Sequence, residues 1–411
     1  MYLTNEEERM YNGECGELIE WAMKTIVAWG DVFNAKRMVK IDCAHCSCTA
    51  YMVDGKKSIL DFIGDLAKSK PRVLVPATCQ VASTDLEDWK KLNIPEYVAE
   101  GQLKLKEYIE GMGPAPTWTC APYLVGNIPV TGSHIAWCES SAIVYANSVF
   151  GARTNRECGQ SVWFASFIGR TAEYGLHLDE NRKAKVLVNV TTKLKNETDY
   201  GALGYFGGKV AGLRIPAFKG IKKIPSVEDL MQVSAALATT GGVPMFHILG
   251  ITPEARRDDE AFGGEKPEEV IEFGDEELAE TYEKIRSSDG DKVDFVFLGC
   301  PHATYHQIKS AAEMLEGKKI NKDTTLWIST ARQTKNLIEK TRYADIIRAA
   351  GGKIVCDTCP AAALEIGFKP KVMVTNSYKQ AHYFPGQFKA TAIAADMEAC
   401  IKTAIEGKWR R

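Results

Sequence analysis

The chain has 411 residues, a length that suits two or three domains and leaves ample room for a buried core. A formal net charge of −2 gives no basis for a nucleic-acid partner or an anionic membrane, and no apolar run approaches the roughly 18 residues that a membrane span requires. Twelve cysteines behind an acidic N-terminus with no apolar signal core argue against a secreted disulfide framework and predict a cytoplasmic address.

The chain opens as helix. Thr4 or Asn5 caps an acidic start, and Cys15, Leu18, Ile19, Ala22, Met23 and Ile26 recur at helical spacing up to about Trp29. Short runs rich in Val and Ile then read as strands at Met38–Ile41, Val73–Val75, Lys185–Val190, Val243–Leu249, Val293–Leu298, Thr325–Ile328, Lys353–Val355 and Val372–Val374. Helical patterns at Tyr305–Leu315, Thr334–Ala349 and Asp396–Ile405 lie between or after them. Such alternation predicts an α/β fold with a mainly parallel sheet. Glu254–Lys292 is crowded with charge and broken by Gly263-Gly264, Pro267 and Gly290. It reads as a charged surface connection over 256–292, between an N-terminal part, 1–255, and a C-terminal part, 293–411. The glycines at 201, 204, 207, 208 and 212 match no nucleotide-loop pattern and point to close helix packing.

Cysteines gather where the predicted strands end. Val293–Leu298 runs into Gly299-Cys300-Pro301-His302, Lys353–Val355 into Cys356-Asp357-Thr358-Cys359, Met38–Ile41 into Cys43, Cys46 and Cys48, and Val73–Val75 into Cys79-Gln80. Loops at the carboxyl ends of parallel strands converge on one crevice, and a rim of thiols suits a soft metal centre. No compact run of four cysteines, as in ferredoxins, is present; Cys120, Cys300 and Cys359 can meet only through the fold. A cluster on three protein thiolates leaves one iron open as a Lewis acid, which is the chemistry of dehydration. Two other readings stay open here. Cys356-x-x-Cys359 before a helical stretch, Ala361–Ile366, has thioredoxin-like spacing, and Cys43-x-x-Cys46 could join that pair around zinc. Among the histidines, His302 beside Cys300 is the best catalytic candidate, and Glu139-Ser140-Ser141 before a helical run suits substrate binding or a plain helix cap.

Several blocks resemble the aconitase X family: Thr119-Cys120-Ala121-Pro122-Tyr123, Ala136-Trp137-Cys138-Glu139-Ser140-Ser141, Gly151-Ala152-Arg153-Thr154-Asn155-Arg156, Gly299-Cys300-Pro301-His302, Asp357-Thr358-Cys359 and Thr375-Asn376-Ser377-Tyr378-Lys379. The resemblance implies an aconitase-like α/β fold, with several domains and mainly parallel sheets around a central cleft. It implies a hydro-lyase with a three-cysteine iron–sulfur cluster, most simply [4Fe-4S], on Cys120, Cys300 and Cys359. Substrate contacts would fall on Cys48, Thr49, Ala50, Cys79, Gln80, Glu139, Ser140, Asn376, Ser377 and Lys379, with Glu139, Ser140, His302 and Lys379 in catalysis. A separate small subunit carrying a swivelling domain and a catalytic serine is the expected partner. The family's substrates are small hydroxy acids, mevalonate 5-phosphate and cis-3-hydroxy-L-proline. The extra thiols at Cys46, Cys48 and Cys79 depart from the usual pattern and leave the substrate undecided.

Overall fold

A computed structural model describes residues 1–51, 58–285, 292–363 and 365–410. Thr4 caps helix Asn5–Tyr11 and exchanges hydrogen bonds with Glu7, and the longer helix Glu17–Val32 buries Ala22, Met23, Ile26 and Val27. The single helix expected at the start is therefore two, with Gly13 and Gly16 at the break.

Three parallel sheets follow. The first is small, in the order Ala77–Cys79, Ala44–Cys46, Ala136–Trp137, with Cys46 opposite Cys79. The second runs His247–Ile248, Pro216–Lys219, Val186–Val190, Glu269–Phe273. The third has five strands: Lys353–Cys356, Thr325–Thr330, Phe295–Leu298, Val372–Thr375, Thr391–Ala394. The chain moves outward from Phe295–Leu298 in one direction, then returns to place Val372–Thr375 on its other side. That reversal opens a crevice between the loops that leave these two strands, where ligands bind in open α/β sheets.

Four sequence readings need correction. Met38–Lys40 is a strand, but it pairs antiparallel with Arg170–Ala172, outside the parallel sheets. Val73–Val75 is not a strand; the strands are the thiol-bearing segments Ala44–Cys46 and Ala77–Cys79, whose small residues are buried on both faces. Strand propensity favoured the neighbouring β-branched runs, whereas burial selected the small residues. The surface connection is largely ordered structure. Glu269–Phe273 is an edge strand paired with Val186–Val190, and Asp275–Ile285 is a helix; the charge covers their exposed faces. Residues 286–291 of that connection, and Leu364 of the expected helix at Ala361–Ile366, lie outside the described residues. The helix expected over Thr334–Ala349 is two, Arg332–Ile338 and Arg342–Ala350, because Thr341 caps the second.

The glycine-rich helix Glu197–Ala211 packs along Val227–Thr240, as its composition suggested. A Cβ on Gly204 would stand 2.4 Å from the Val233 carbonyl oxygen, so the two backbones touch only because no side chain intervenes.

Candidate active site

A cleft of about 470 Å³ is lined by residues of the first and third sheets' loops, among them Cys48, Gln80, Cys120, Glu139, Cys300, Cys359 and Lys379. Cys300 follows Phe295–Leu298 at the crevice. The preceding Gly299 has φ of 109°, and a Cβ there would lie 2.1 Å from the Ser329 carbonyl oxygen, so only glycine lets the loop turn over the adjacent strand. Cys359 arrives from the edge strand Lys353–Cys356, and Cys120 from the segment before the short turn Pro122–Val125.

All three cysteines line the cleft; Cys120 feels the charges of Cys359 and Cys300, and Cys359 feels that of Cys300. Burial pushes the Cys120 thiol far up, and the negative charges of Glu139, Cys359 and Cys300 add to it. Cys359 rises to about 12, from burial first and Cys300 second. Burial also raises Cys300, partly offset by the Lys379 ammonium and the Ser377 hydroxyl. Each sulfur also meets main-chain N–H groups: His302 donates to Cys120 at 3.3 Å, Gln380 to Cys300, and Ala361 and Ala362 to Cys359. Three buried thiols that repel as anions, yet are each supplied with N–H donors, fit a cationic cluster core. Among the described residues no set of His, Cys, Asp or Glu is arranged around a single ion. Cluster thiolates bind different irons and need not surround one point.

Beside the thiols is a buried ion pair. Lys379 Nζ lies 2.6 Å from Glu139 Oε1 and donates to Ser140 Oγ at 3.0 Å. Gln80 donates to Glu139 Oε2 at 2.5 Å, and Ser141 donates to Oε1 through its N–H at 3.2 Å and its hydroxyl at 2.8 Å. Burial opposes the Glu139 charge, but Lys379 and Ser141 outweigh it and hold the carboxyl at about 2. The same pairing outweighs burial at Lys379 and raises it above the usual lysine range. The cleft therefore presents a fixed ammonium with one face tied to Glu139.

The family models decide what this arrangement belongs to. That for the aconitase X first domain matches residues 1–180, the second domain 184–283 and the third domain 293–406. The chain belongs to the aconitase X family. It is a hydro-lyase, with the aconitase-like α/β fold. This aconitase X is similar over its whole length to the phosphomevalonate dehydratase large subunit of Methanosarcina mazei, at 42% identity over 100% of this chain and 99% of that one. It is 32% identical to the cis-3-hydroxy-L-proline dehydratase of Pseudomonas aeruginosa, covering 98% of this chain and 70% of that protein. The crystal structure of Thermococcus kodakaraensis aconitase X in its holo-form superposes with a TM-score of 0.89 at 37% identity, covering 98% of this chain and 100% of that chain.

Not every residue expected at the aconitase X site reaches the cleft. Cys48, Thr49, Ala50, Gln80, Glu139 and Lys379 line it, while Ser140 is held against Lys379 and Ser377 backs Cys300. His302 does not line it. Its ring is fully buried, Nε2 donates to the Thr358 carbonyl at 3.2 Å, Nδ1 accepts from Thr119 at 3.0 Å, and burial lowers it to about 4. Its contribution to the site is the main-chain N–H on Cys120. Asn376 turns away to donate to Glu197 at 2.6 Å. Cys79 is wholly buried in its strand opposite Cys46. The four cysteines of the zinc or thiol-redox reading have different surroundings: Cys43 against Trp137, Cys46 against Cys79, Cys356 beside Asp357 and Arg332, and Cys359 facing Cys300. These separate surroundings give that reading no support.

One cluster escaped the sequence reading. Arg332 bridges Asp85, at 2.8 Å, and Asp357. Asp85 also accepts the Cys356 N–H at 2.9 Å, and the Asp357 carbonyl accepts the Ala82 N–H at 2.7 Å. These bonds tie the first unit to the loop that carries Cys359. Asp357 adopts φ of 65°, a conformation that asparagine and aspartate tolerate best among residues with a side chain. The only signal in sequence was the position of Arg332 and Asp357 on the strand-end rim.

Proposed function

We propose that this aconitase X chain is the large subunit of a cytoplasmic two-chain dehydratase that removes water from mevalonate 5-phosphate. The convergence of Cys120, Cys300 and Cys359 beside the Lys379–Glu139 pair carries the reading. A [4Fe-4S] cluster on those three cysteines would supply an open, Lewis-acidic iron to the departing hydroxyl. Lys379 is placed to hold the substrate carboxylate, since an ammonium fixed on one side by Glu139 keeps donors for a second anion. Gln80 and Ser141 keep Glu139 from rotating into the space that the substrate takes. Water is lost as the proton on C2, next to the carboxylate, and the hydroxyl on C3, leaving a C2–C3 double bond. The base for C2 is assigned to a serine of a small subunit; among the described residues, paired Glu139 is the one carboxylate that lines the cleft.

The phosphorylated substrate is favoured because two relatives called phosphomevalonate dehydratase large subunit, at 42% and 39% identity, match from end to end, whereas those called cis-3-hydroxy-L-proline dehydratase are 32% and 31% identical and extend well beyond this chain. The test is anaerobic co-expression with the small subunit, followed by NMR of each compound after incubation. Mevalonate 5-phosphate should gain an alkene resonance with cis-3-hydroxy-L-proline unchanged. Turnover of hydroxyproline alone, or of neither, contradicts the proposal.

A further inference from the structure

Beside the three cysteines assigned to the cluster lies a second group of thiols that takes no part in holding it. Cys48, Cys138 and Cys158 are all partly exposed and unbonded, and each influences the charge of another. Cys48 lines the cleft, in a left-handed conformation with φ of 58° that a side-chain-bearing residue adopts only when its surroundings hold it there. What holds it is the start of helix Gly159–Ile168. A Cβ on Gly159 would stand 2.2 Å from the Cys48 sulfur and 3.6 Å from its main-chain nitrogen, so the thiol rests on the bare backbone of that glycine. Trp163 of the same helix donates its indole N–H to the Ser47 carbonyl at 2.8 Å, pinning the loop. The residue before Gly159 is Cys158, the helix cap, whose sulfur accepts the Ser161 N–H at 3.3 Å.

We infer that Cys48 and Cys158 are a disulfide-forming pair on the cleft wall, oxidised by a low-molecular-weight disulfide such as oxidised glutathione. Cys158, partly exposed and with its sulfur resting on the Ser161 N–H, makes the first attack. Its thiolate attacks one sulfur of the external disulfide; that bond breaks, a mixed disulfide forms, and one glutathione leaves with a proton. The Cys48 thiolate then attacks the Cys158 sulfur, the protein disulfide forms and the second glutathione departs, so two electrons pass from the pair to the oxidant. The bond fixes the Cys48–Ala50 wall to the helix and changes the shape of the cleft. This consequence for turnover rests on the dehydratase reading, whereas formation of the bond does not.

The test treats the anaerobic holoenzyme with oxidised glutathione and maps tryptic peptides. Residues 157–170 contain one cysteine, Cys158, while Cys138 lies on residues 107–153. The expected product joins 157–170 to 41–56, with fragmentation locating the bond at Cys48. Turnover should fall by about tenfold or more, as for a displaced active-site wall, and recover with dithiothreitol. Cys158→Ser keeps a good helix cap and should keep its turnover under oxidant. Absence of the 41–56 to 157–170 link, a link to 107–153 in its place, or equal losses of turnover in both proteins overturns the inference. A holoenzyme inert before oxidation would defeat the dehydratase reading while the peptide map still judged the pair.

Discussion

Lys379 and Glu139 meet at 2.6 Å across the boundary between the third and first units, and both side chains are almost wholly enclosed. Breaking a buried pair by removing one member leaves the other charge uncompensated, at a cost of about 3–5 kcal/mol. Lys379→Met should therefore lower unfolding stability by that order in denaturant titrations, and lower turnover on the order of 10²-fold through loss of a charge-stabilising donor. The pair also sets a pH response. Glu139 is held at about 2, so its contribution is complete above the usual carboxylate range and is lost as pH falls toward 2. Glu139→Gln should flatten this acid limb in a series of melts, and an unchanged limb would contradict the assignment.

Arg332 joins Asp85 and Asp357 where the first unit meets the Cys359 loop. Arg332→Leu should destabilise the fold by about 3–5 kcal/mol, because two buried carboxylates lose their cation. Iron bound per chain should fall with it, since the Cys359 loop loses an anchor. Lys335→Leu, which loses a bond to the partly exposed Asp88 at 3.0 Å, should cost no more than about 1 kcal/mol. Metal analysis beside chemical denaturation separates the two outcomes.

Glu197 is partly buried between Gln307 and Asn376, each donating to it at 2.6 Å, and among the described residues no cation pairs with it. Burial raises it to about 7. A carboxyl raised on folding binds more protons in the native state, so its stability contribution is complete below the ordinary range near 4.5 and is lost as pH rises through about 7. Relative to Glu197→Gln, the unmodified protein should thus lose melting temperature between pH 5 and 7. A temperature difference that stays constant over this range would refute the titration.

Much of this architecture was legible in sequence where local pattern and burial agree. Tyr305–Leu315 is a helix at the expected bounds because its apolar spacing and the Thr304–Gln307 cap point the same way. The third sheet was readable because Phe295–Leu298, Leu326–Ile328 and Val372–Val374 are continuous apolar runs, as strands buried on both faces must be. The first sheet was misread for the opposite reason: Ala44–Cys46 and Ala77–Cys79 are small and mixed, and only tertiary packing makes them strands. The three cleft cysteines stand out through their neighbours, Gly299 and Pro301 at Cys300 and Pro360 after Cys359. His302 misled because adjacency in sequence placed its main chain, and not its ring, at the site. Asn376 and the Arg332 bridge depend on partners more than 170 residues and more than 240 residues away, separations that no local pattern encodes.

The central claim concerns three sulfurs and one cluster. Anaerobic reconstitution with iron and sulfide, followed by absorption and metal analysis, tests it most directly, with circular dichroism to confirm that each variant folds. Thiolate-to-iron absorption should develop in the unmodified chain and in Cys356→Ser, and be lost in Cys120→Ser, Cys300→Ser and Cys359→Ser alike. A folded Cys120→Ser protein that retains the full absorption, or a Cys356→Ser protein that loses it, would contradict this account of the site.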